Sequence, residues 1–133
     1  GYMQVFEADS ESKHLKGINF PVQSGSDRIL KLMKRPHKAA DAISSLRRIK
    51  ECYPHITVGT HLIVGFPDES EEDFEATLKL LEEVDFDFVS CFPYSEHKTA
   101  RSAVLPNKIG SETIDTRLDL ISRSLGDRVK IIR

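Results

Sequence analysis

The sequence predicts an α/β fold of about three strand–helix units with parallel strands. Three observations carry that expectation. Short apolar runs alternate with longer stretches whose apolar residues recur at helical spacing. The connections between successive runs take roughly 32 and roughly 22 residues, far beyond a hairpin turn, so parallel pairing with a right-handed crossover is the simplest topology. The run "HITVGTHLIV", 55–64, is largely apolar on both parities, which suits a strand covered on two sides.

The first strand is "GINFPVQ", 17–23, with its ladder ended or interrupted at Pro21, which has no amide to donate. Ser24, Gly25 and Ser26 make a corner, and "DRILKLMKR" gives one or two helical turns that Pro36 ends; Ser26 or Asp27 is the expected cap. A second helix covers about 39–52, with Ile43, Leu46 and Ile49 as its buried stripe and Arg47, Arg48 and Lys50 facing water. After the strand at 55–64 comes the corner "GFPDES", then the helix "SEEDFEATLKLLEEV". There Ser70 and Asp73 read as a capping box, and Phe74, Leu78, Leu81 and Val84 as the core face. "FDFVSCF", 86–92, is a third strand, followed by a long polar loop and a last helix over about 111–125 capped by Ser111. The expected organisation is an N-terminal segment, 1–16, partly disordered, then the strand–helix body, 17–125, and a C-terminal tail, 126–133.

With 133 residues and 39% hydrophobic content the chain makes about one domain with a real core, which excludes global disorder. No apolar run reaches the length of a membrane span, and "GYMQVFEADSESKH" lacks the basic flank and apolar core of a signal peptide. The chain does not open on Met, which fits either an expression scar or a piece cut from something longer. Two cysteines, Cys52 and Cys91, stand far apart and read as free, buried thiols in a reducing compartment, so a cytoplasmic location is expected. The net charge of -2 hides an asymmetry. Positions 24–50 hold eight Lys or Arg against two Asp, positions 64–100 eleven Asp or Glu against two Lys. The basic stretch is compatible with phosphate or nucleic-acid contact, but basic helix faces are more often ordinary solvent faces. This one is expected on outward helix faces, away from the strand ends.

In a parallel α/β fold the carboxyl ends of the strands share one rim. Three corners gather there: Gln23-Ser24-Gly25-Ser26, Gly65-Phe66-Pro67-Asp68, and Pro93-Tyr94-Ser95. Gly25 and Gly65 admit close approach to the backbone; Gln23, Ser24 and Ser26 offer neutral donors and acceptors. Asp68 can accept from a hydroxyl, and Arg28 or Lys31 can meet a carboxylate. Such parts suit a polar small molecule with a carboxylate and a sugar-like ring, although such corners also form wherever a strand must stop. Acid–base or nucleophilic catalysis is poorly served: there is no Ser-His-Asp order, no HExxH and no phosphate loop, and no catalytic or metal-ligating residue is assigned. His61, inside a strand, reads as a satisfied core histidine. Tyr94 suits either stacking on a base or packing over the core.

"PVQSGSDRILKLMKR" together with "HLIVGFPDESEEDFEATLKLLEEVDFDFVSCFPYS" resembles the radical S-adenosylmethionine methylthiotransferases, over about four-fifths of the chain. The resemblance implies a partial TIM-barrel-like horseshoe, the carboxyl-terminal portion of the catalytic barrel, whose rim binds S-adenosylmethionine beside a [4Fe-4S] cluster. It implies that Gln23, Ser24 and Ser26 lie near the cofactor's ribose and methionine end and that Arg28 steadies its carboxylate. Ile63, Val64 and Gly65 would lie beside the adenine, and Tyr94 and Ser95 towards substrate. Family members modify a tRNA adenosine or a ribosomal-protein residue. This chain departs from the family in His61, where Asp is usual, in Asn19, where His is usual, and in lacking the CxxxCxxC cluster motif. Two cysteines cannot ligate a [4Fe-4S] cluster, so the chain alone is expected to be inactive. Three units fill less than half of an eight-stranded barrel of about 250 residues. The exposed sheet is therefore expected to be covered by self-association or by a missing N-terminal half. A non-enzymatic α/β module that completes a partner's barrel is the competing expectation.

Overall fold

The computed structural model describes residues 17–94 and 105–133. The N-terminal segment 1–16 and Ser95 lie outside the described residues. The elements follow as β1 (Gly17–Gln23), α1 (Asp27–Leu32), α2 (Ala39–Cys52), β2 (Thr57–Val64), α3 (Glu71–Glu83), β3 (Phe88–Pro93) and α4 (Ser111–Leu125). A 3-10 turn (Gly126–Arg128) and β4 (Val129–Ile131) close the chain. The strands form one sheet in the order β1-β2-β3-β4, every pair parallel. This is the partial barrel-like α/β arrangement expected, with one strand more. The stretch expected as a tail supplies β4, too short and too charged in "DRVKIIR" to stand out as a strand.

Pro21 acts where proline should. The β1–β2 register shifts between Phe20 and Gln23. There Thr60 replaces ladder bonds with its hydroxyl, accepting from the Val22 N–H at 3.2 Å and donating to the Phe20 carbonyl at 2.7 Å.

Helices cover one face of the sheet. Val22, Val58, Leu62, Val64, Val89 and Cys91 point into a core completed by Ala42 and Leu46 of α2, Phe74 and Leu80 of α3, and Leu118 and Ile121 of α4. Ile43 and Leu78, expected in the buried stripes, are only partly buried, whereas Thr77 is buried. The opposite parity is not covered as "HITVGTHLIV" suggested. Asn19 and Phe88 are exposed, and His61, Ile63, Ser90 and Phe92 are half-buried. The apolar side chains of that parity therefore stay partly exposed. Cys91 is buried, but Cys52 is exposed at the end of α2, contrary to the expectation of two buried thiols.

Caps fix where the helices start. Ser26 caps α1 by accepting from the Ile29 N–H at 3.3 Å, while Asp27 accepts from the Ala39 N–H at 2.8 Å and holds the start of α2. Ser70 and Asp73 form the expected capping box of α3. Ser111 is not a cap: extended Gly110 takes that position and Ser111 is the first helical residue.

Candidate functional site

Gln23, at the end of β1, has a φ of 78° and is 8% exposed; its side-chain amide has no hydrogen-bond partner among the described residues. The next three residues turn inward. Ser24 Oγ accepts from the Ser26 N–H at 3.1 Å and lies 3.5 Å from Thr77 Oγ1. The Gly25 N–H donates to Thr77 Oγ1 at 2.9 Å, and a Cβ on Gly25 would collide with the Ala76 carbonyl. Ser26 Oγ donates to Asp73 Oδ1 at 2.7 Å. The first corner is therefore fastened onto the amino-terminal half of α3.

The second corner begins at Gly65, whose φ of 84° and closeness to Ile114 leave no room for a side chain. Its N–H donates to Glu69 Oε1 at 3.1 Å. Glu69 is buried with Arg117, whose Nη1 donates to Glu69 Oε1 at 2.6 Å and to the Glu69 carbonyl at 3.1 Å. Burial raises the Glu69 carboxyl above its ordinary value, opposed by the Gly65 amide and Arg117. Asp68, at a φ of 73°, accepts from Asn107 Nδ2 at 2.7 Å and pairs with Arg28, and both lower its carboxyl.

Arg28 joins the two corners. Its guanidinium donates to the Asp68 carboxylate and carbonyl and to both oxygens of Asp73, and these partners, Asp73 first, raise its already high value. Burial alone would raise Asp73. Arg28, the Ser70 amide and hydroxyl, and Ser26 outweigh it and bring the carboxyl to about 2.

At the third corner the Tyr94 N–H donates to the Val64 carbonyl at 2.8 Å, and the Tyr94 ring meets Phe66 edge-on with centroids 5.5 Å apart. Beside the second corner lies a cavity of about 670 Å³, within the usual range for small-molecule sites; Gln23, Ser24, Ser26, Gly65 and Tyr94 are not among its lining residues. Ile63, Phe66 and Leu105 give it apolar walls, Arg28 and Asp68 a paired charge, and Lys31, Lys34 and Arg35 its outer lip. The basic stretch thus reaches the rim, correcting the expectation that it faces away. The register β1–β2–β3 brings Gln23, Val64 and Pro93 to one end of the sheet.

The expected site residues divide by environment. Arg28 and Ile63 line the cavity; Gln23 stays unpartnered; Ser24 and Ser26 spend their hydroxyls within the protein; Val64 is core, 1% exposed. Asp73, Thr77, Glu69, Arg117 and Asn107, which hold the corners in place, were not read as site residues. Only Asp73 carried a signal, as a cap. The two departures from the family pattern meet: Asn19 Nδ2 and His61 Nε2 lie 2.8 Å apart on the open face, and His61 packs edge-on against Phe92.

Among the described residues no group of three His, Cys, Asp or Glu could hold a metal ion. Cys91 is buried in β3 and Cys52 lies on α2, so an iron–sulfur cluster does not fit these thiols. No helix among the described residues is long and apolar enough to cross a membrane.

The sequence model of the Radical SAM superfamily matches residues 5–81, more than half of the chain. The chain belongs to the Radical SAM superfamily. It is 43% identical over 111 residues to a tRNA-2-methylthio-N(6)-dimethylallyladenosine synthase of Aeromonas hydrophila, covering 84% of this chain and 23% of that protein. It is 42% identical over 115 residues to the ribosomal protein uS12 methylthiotransferase RimO of Thermosipho melanesiensis, covering 86% of this chain and 27% of that protein. The chain spans about a quarter of the length of these curated relatives. The archaeal Elp3 of Methanocaldococcus infernus with an N-terminal deletion shares the fold, with a TM-score of 0.68 at 22% identity, over 89% of this chain and 29% of that one.

Proposed function

We propose that this chain is part of a methylthiotransferase that modifies a tRNA adenosine or a ribosomal-protein residue, and that it contributes one side of the S-adenosylmethionine pocket. The gathering of three corners at one end of the sheet, the second of them bordering a cavity of about 670 Å³, carries the reading. Identity above 40% to both kinds of methylthiotransferase supports it.

In this reading the unpartnered Gln23 amide reaches the ribose and methionine end of the cofactor. The peptide groups of Ser24 to Ser26 hold that corner. Arg28, 48% exposed at its side chain, has room for a carboxylate beside its own acids. Ile63, Val64 and Gly65 form the wall against the adenine, and Tyr94 and Ser95 face substrate. When bound, S-adenosylmethionine would supply a methyl group for transfer and, on reduction in the parent enzyme, the 5'-deoxyadenosyl group that takes a hydrogen atom from substrate. The [4Fe-4S] cluster must come from other protein, so the chain alone is inactive, in a cytoplasmic parent enzyme. An alternative, a non-enzymatic module completing a partner's barrel, is favoured by the open face, on which Phe88 is 39% exposed.

Calorimetric titration with S-adenosylmethionine tests the reading. Binding is expected, and Gln23→Gly weakens it without lowering Tm, because glycine relaxes the positive φ. Absence of binding by the wild-type chain at millimolar cofactor would count for the interaction module.

A further inference from the structure

We infer that the turn from Lys31 to Lys38 is a phosphate-binding lip that holds the backbone of an RNA against the rim cavity. The inference deepens the proposed function by favouring an RNA substrate, and rests on that reading only for the position of the reacting centre.

The cations of this turn differ from most others on the molecule. Arg28, Lys79, Arg117, Arg123, Arg128 and Arg133 all pair with carboxylates. Lys31, Lys34, Arg35 and Lys38 are exposed, and none has an ion pair or side-chain hydrogen bond among the described residues. Arg47, Arg48 and Lys130 are also exposed and unpaired among the described residues, but they line none of the cavities that the turn borders. Lys31, Lys34 and Arg35 line the rim cavity and, with Lys38, an adjoining one of about 600 Å³. Of the acids facing these cavities, Asp68 is paired with Arg28 and accepts from Asn107, while Asp27 accepts from the neutral Ala39 amide and keeps its charge. The lip therefore presents four cations against one exposed carboxylate, Asp27, a net positive charge, beside the apolar walls of Ile63 and Phe66 that a base can enter.

A second observation is independent of charge. The Arg35 N–H bonds the Leu30 carbonyl and the Lys34 N–H bonds the Lys31 carbonyl, both at 3.0 Å, the pattern that closes a helix through a left-handed residue. That residue is Lys34, with a φ of 63°. Glycine is the usual occupant because a Cβ is unfavourable there. A lysine in a strained conformation at the mouth of a cavity is the kind of local cost that a binding role explains.

The test is fluorescence anisotropy of a labelled hairpin RNA with the 133-residue chain over a range of KCl concentrations. Lys34→Gly, Arg35→Gln and Lys38→Gln should each weaken binding several-fold and reduce the slope of log affinity against log salt by about 1. Lys34→Gly should do so while keeping or raising Tm, separating binding from folding. Arg47→Gln with Arg48→Gln should leave affinity and slope as in the wild type. Equal binding by Lys34→Gly and wild type overturns the proposal, as does an equal loss in the Arg47, Arg48 double variant. So does a polyglutamate peptide, standing for an acidic protein, that binds through these residues while the RNA does not. Calorimetry with S-adenosylmethionine on the same proteins reads the other question separately: no heat with intact salt-dependent RNA binding sinks the cofactor reading and leaves this one standing.

Discussion

Ser26 Oγ donates to Asp73 Oδ1 at 2.7 Å, joining the corner after β1 to the first turn of α3. Asp73 also completes the capping box with Ser70 and pairs with Arg28. One carboxylate thereby sets the spacing of two rim corners. Asp73→Ala is expected to cost about 2–3 kcal/mol, the loss of a cap plus charge-assisted hydrogen bonds, measured by urea unfolding at neutral pH. Ser26→Ala should cost about 1 kcal/mol. The double variant should cost less than the sum, because the two single variants remove the same Ser26–Asp73 hydrogen bond.

The same carboxylate gives the fold a pH dependence. Its value is held at about 2 in the folded chain against an ordinary 3.8. Its stabilisation is then complete above about pH 4 and lost as pH falls through the folded value, because the unfolded chain binds the proton first. That contribution is on the order of 2 kcal/mol. Urea unfolding at a series of acidic pH values should show the decline in wild type and a shallower one in Asp73→Ala.

Arg117 and Glu69 are side chains 5% and 2% exposed, and Arg117 Nε has no hydrogen-bond partner among the described residues. Removing one charge leaves the other buried, so Arg117→Ala should lose about 3–5 kcal/mol. Arg117→Met with Glu69→Gln should recover much of that, since both charges go together. Thermal unfolding of the three proteins distinguishes the cases.

Gly25 lies where any Cβ would strike the Ala76 carbonyl. Gly25→Ala should push the corner off α3, cost about 1–3 kcal/mol, and weaken S-adenosylmethionine binding with it. Calorimetry alongside a melting curve checks both.

The two thiols should behave differently. Burial pushes Cys91 up to about 12, whereas Cys52 is exposed. Under native conditions a single alkylation at Cys52 is expected, with Cys91 modified only on unfolding, as mass spectrometry would show. Anaerobic reconstitution with iron and sulfide should leave less than stoichiometric iron on the chain, because these thiols cannot approach one cluster.

Most of the body was legible because each level of the sequence agrees with the next. The strand–helix alternation, Pro21 and the Ser70–Asp73 pair all point to the observed elements. The site was legible only as three corners. Which hydroxyls turn inward depends on Thr77 and Asp73, more than 45 residues from Ser26 along the chain, and no periodicity reports such a partner. Arg117 was hidden for the same reason: a charged residue between Ile114 and Leu118 reads as solvent face until the buried Glu69 is seen beneath it. Lys34 was counted among surface charges because its backbone angle leaves no mark in the sequence.

Pro21 has a consequence beyond its own strand. Lacking an N–H, it can offer no donor to a neighbour on either side, and the slip from Phe20 to Gln23 already spoils the alignment there. A further strand laid along the outer border of β1 could zip only alongside residues 17–20 and must splay away beyond them. Whatever completes the sheet on that side would therefore leave Gln23 an unblocked doorway.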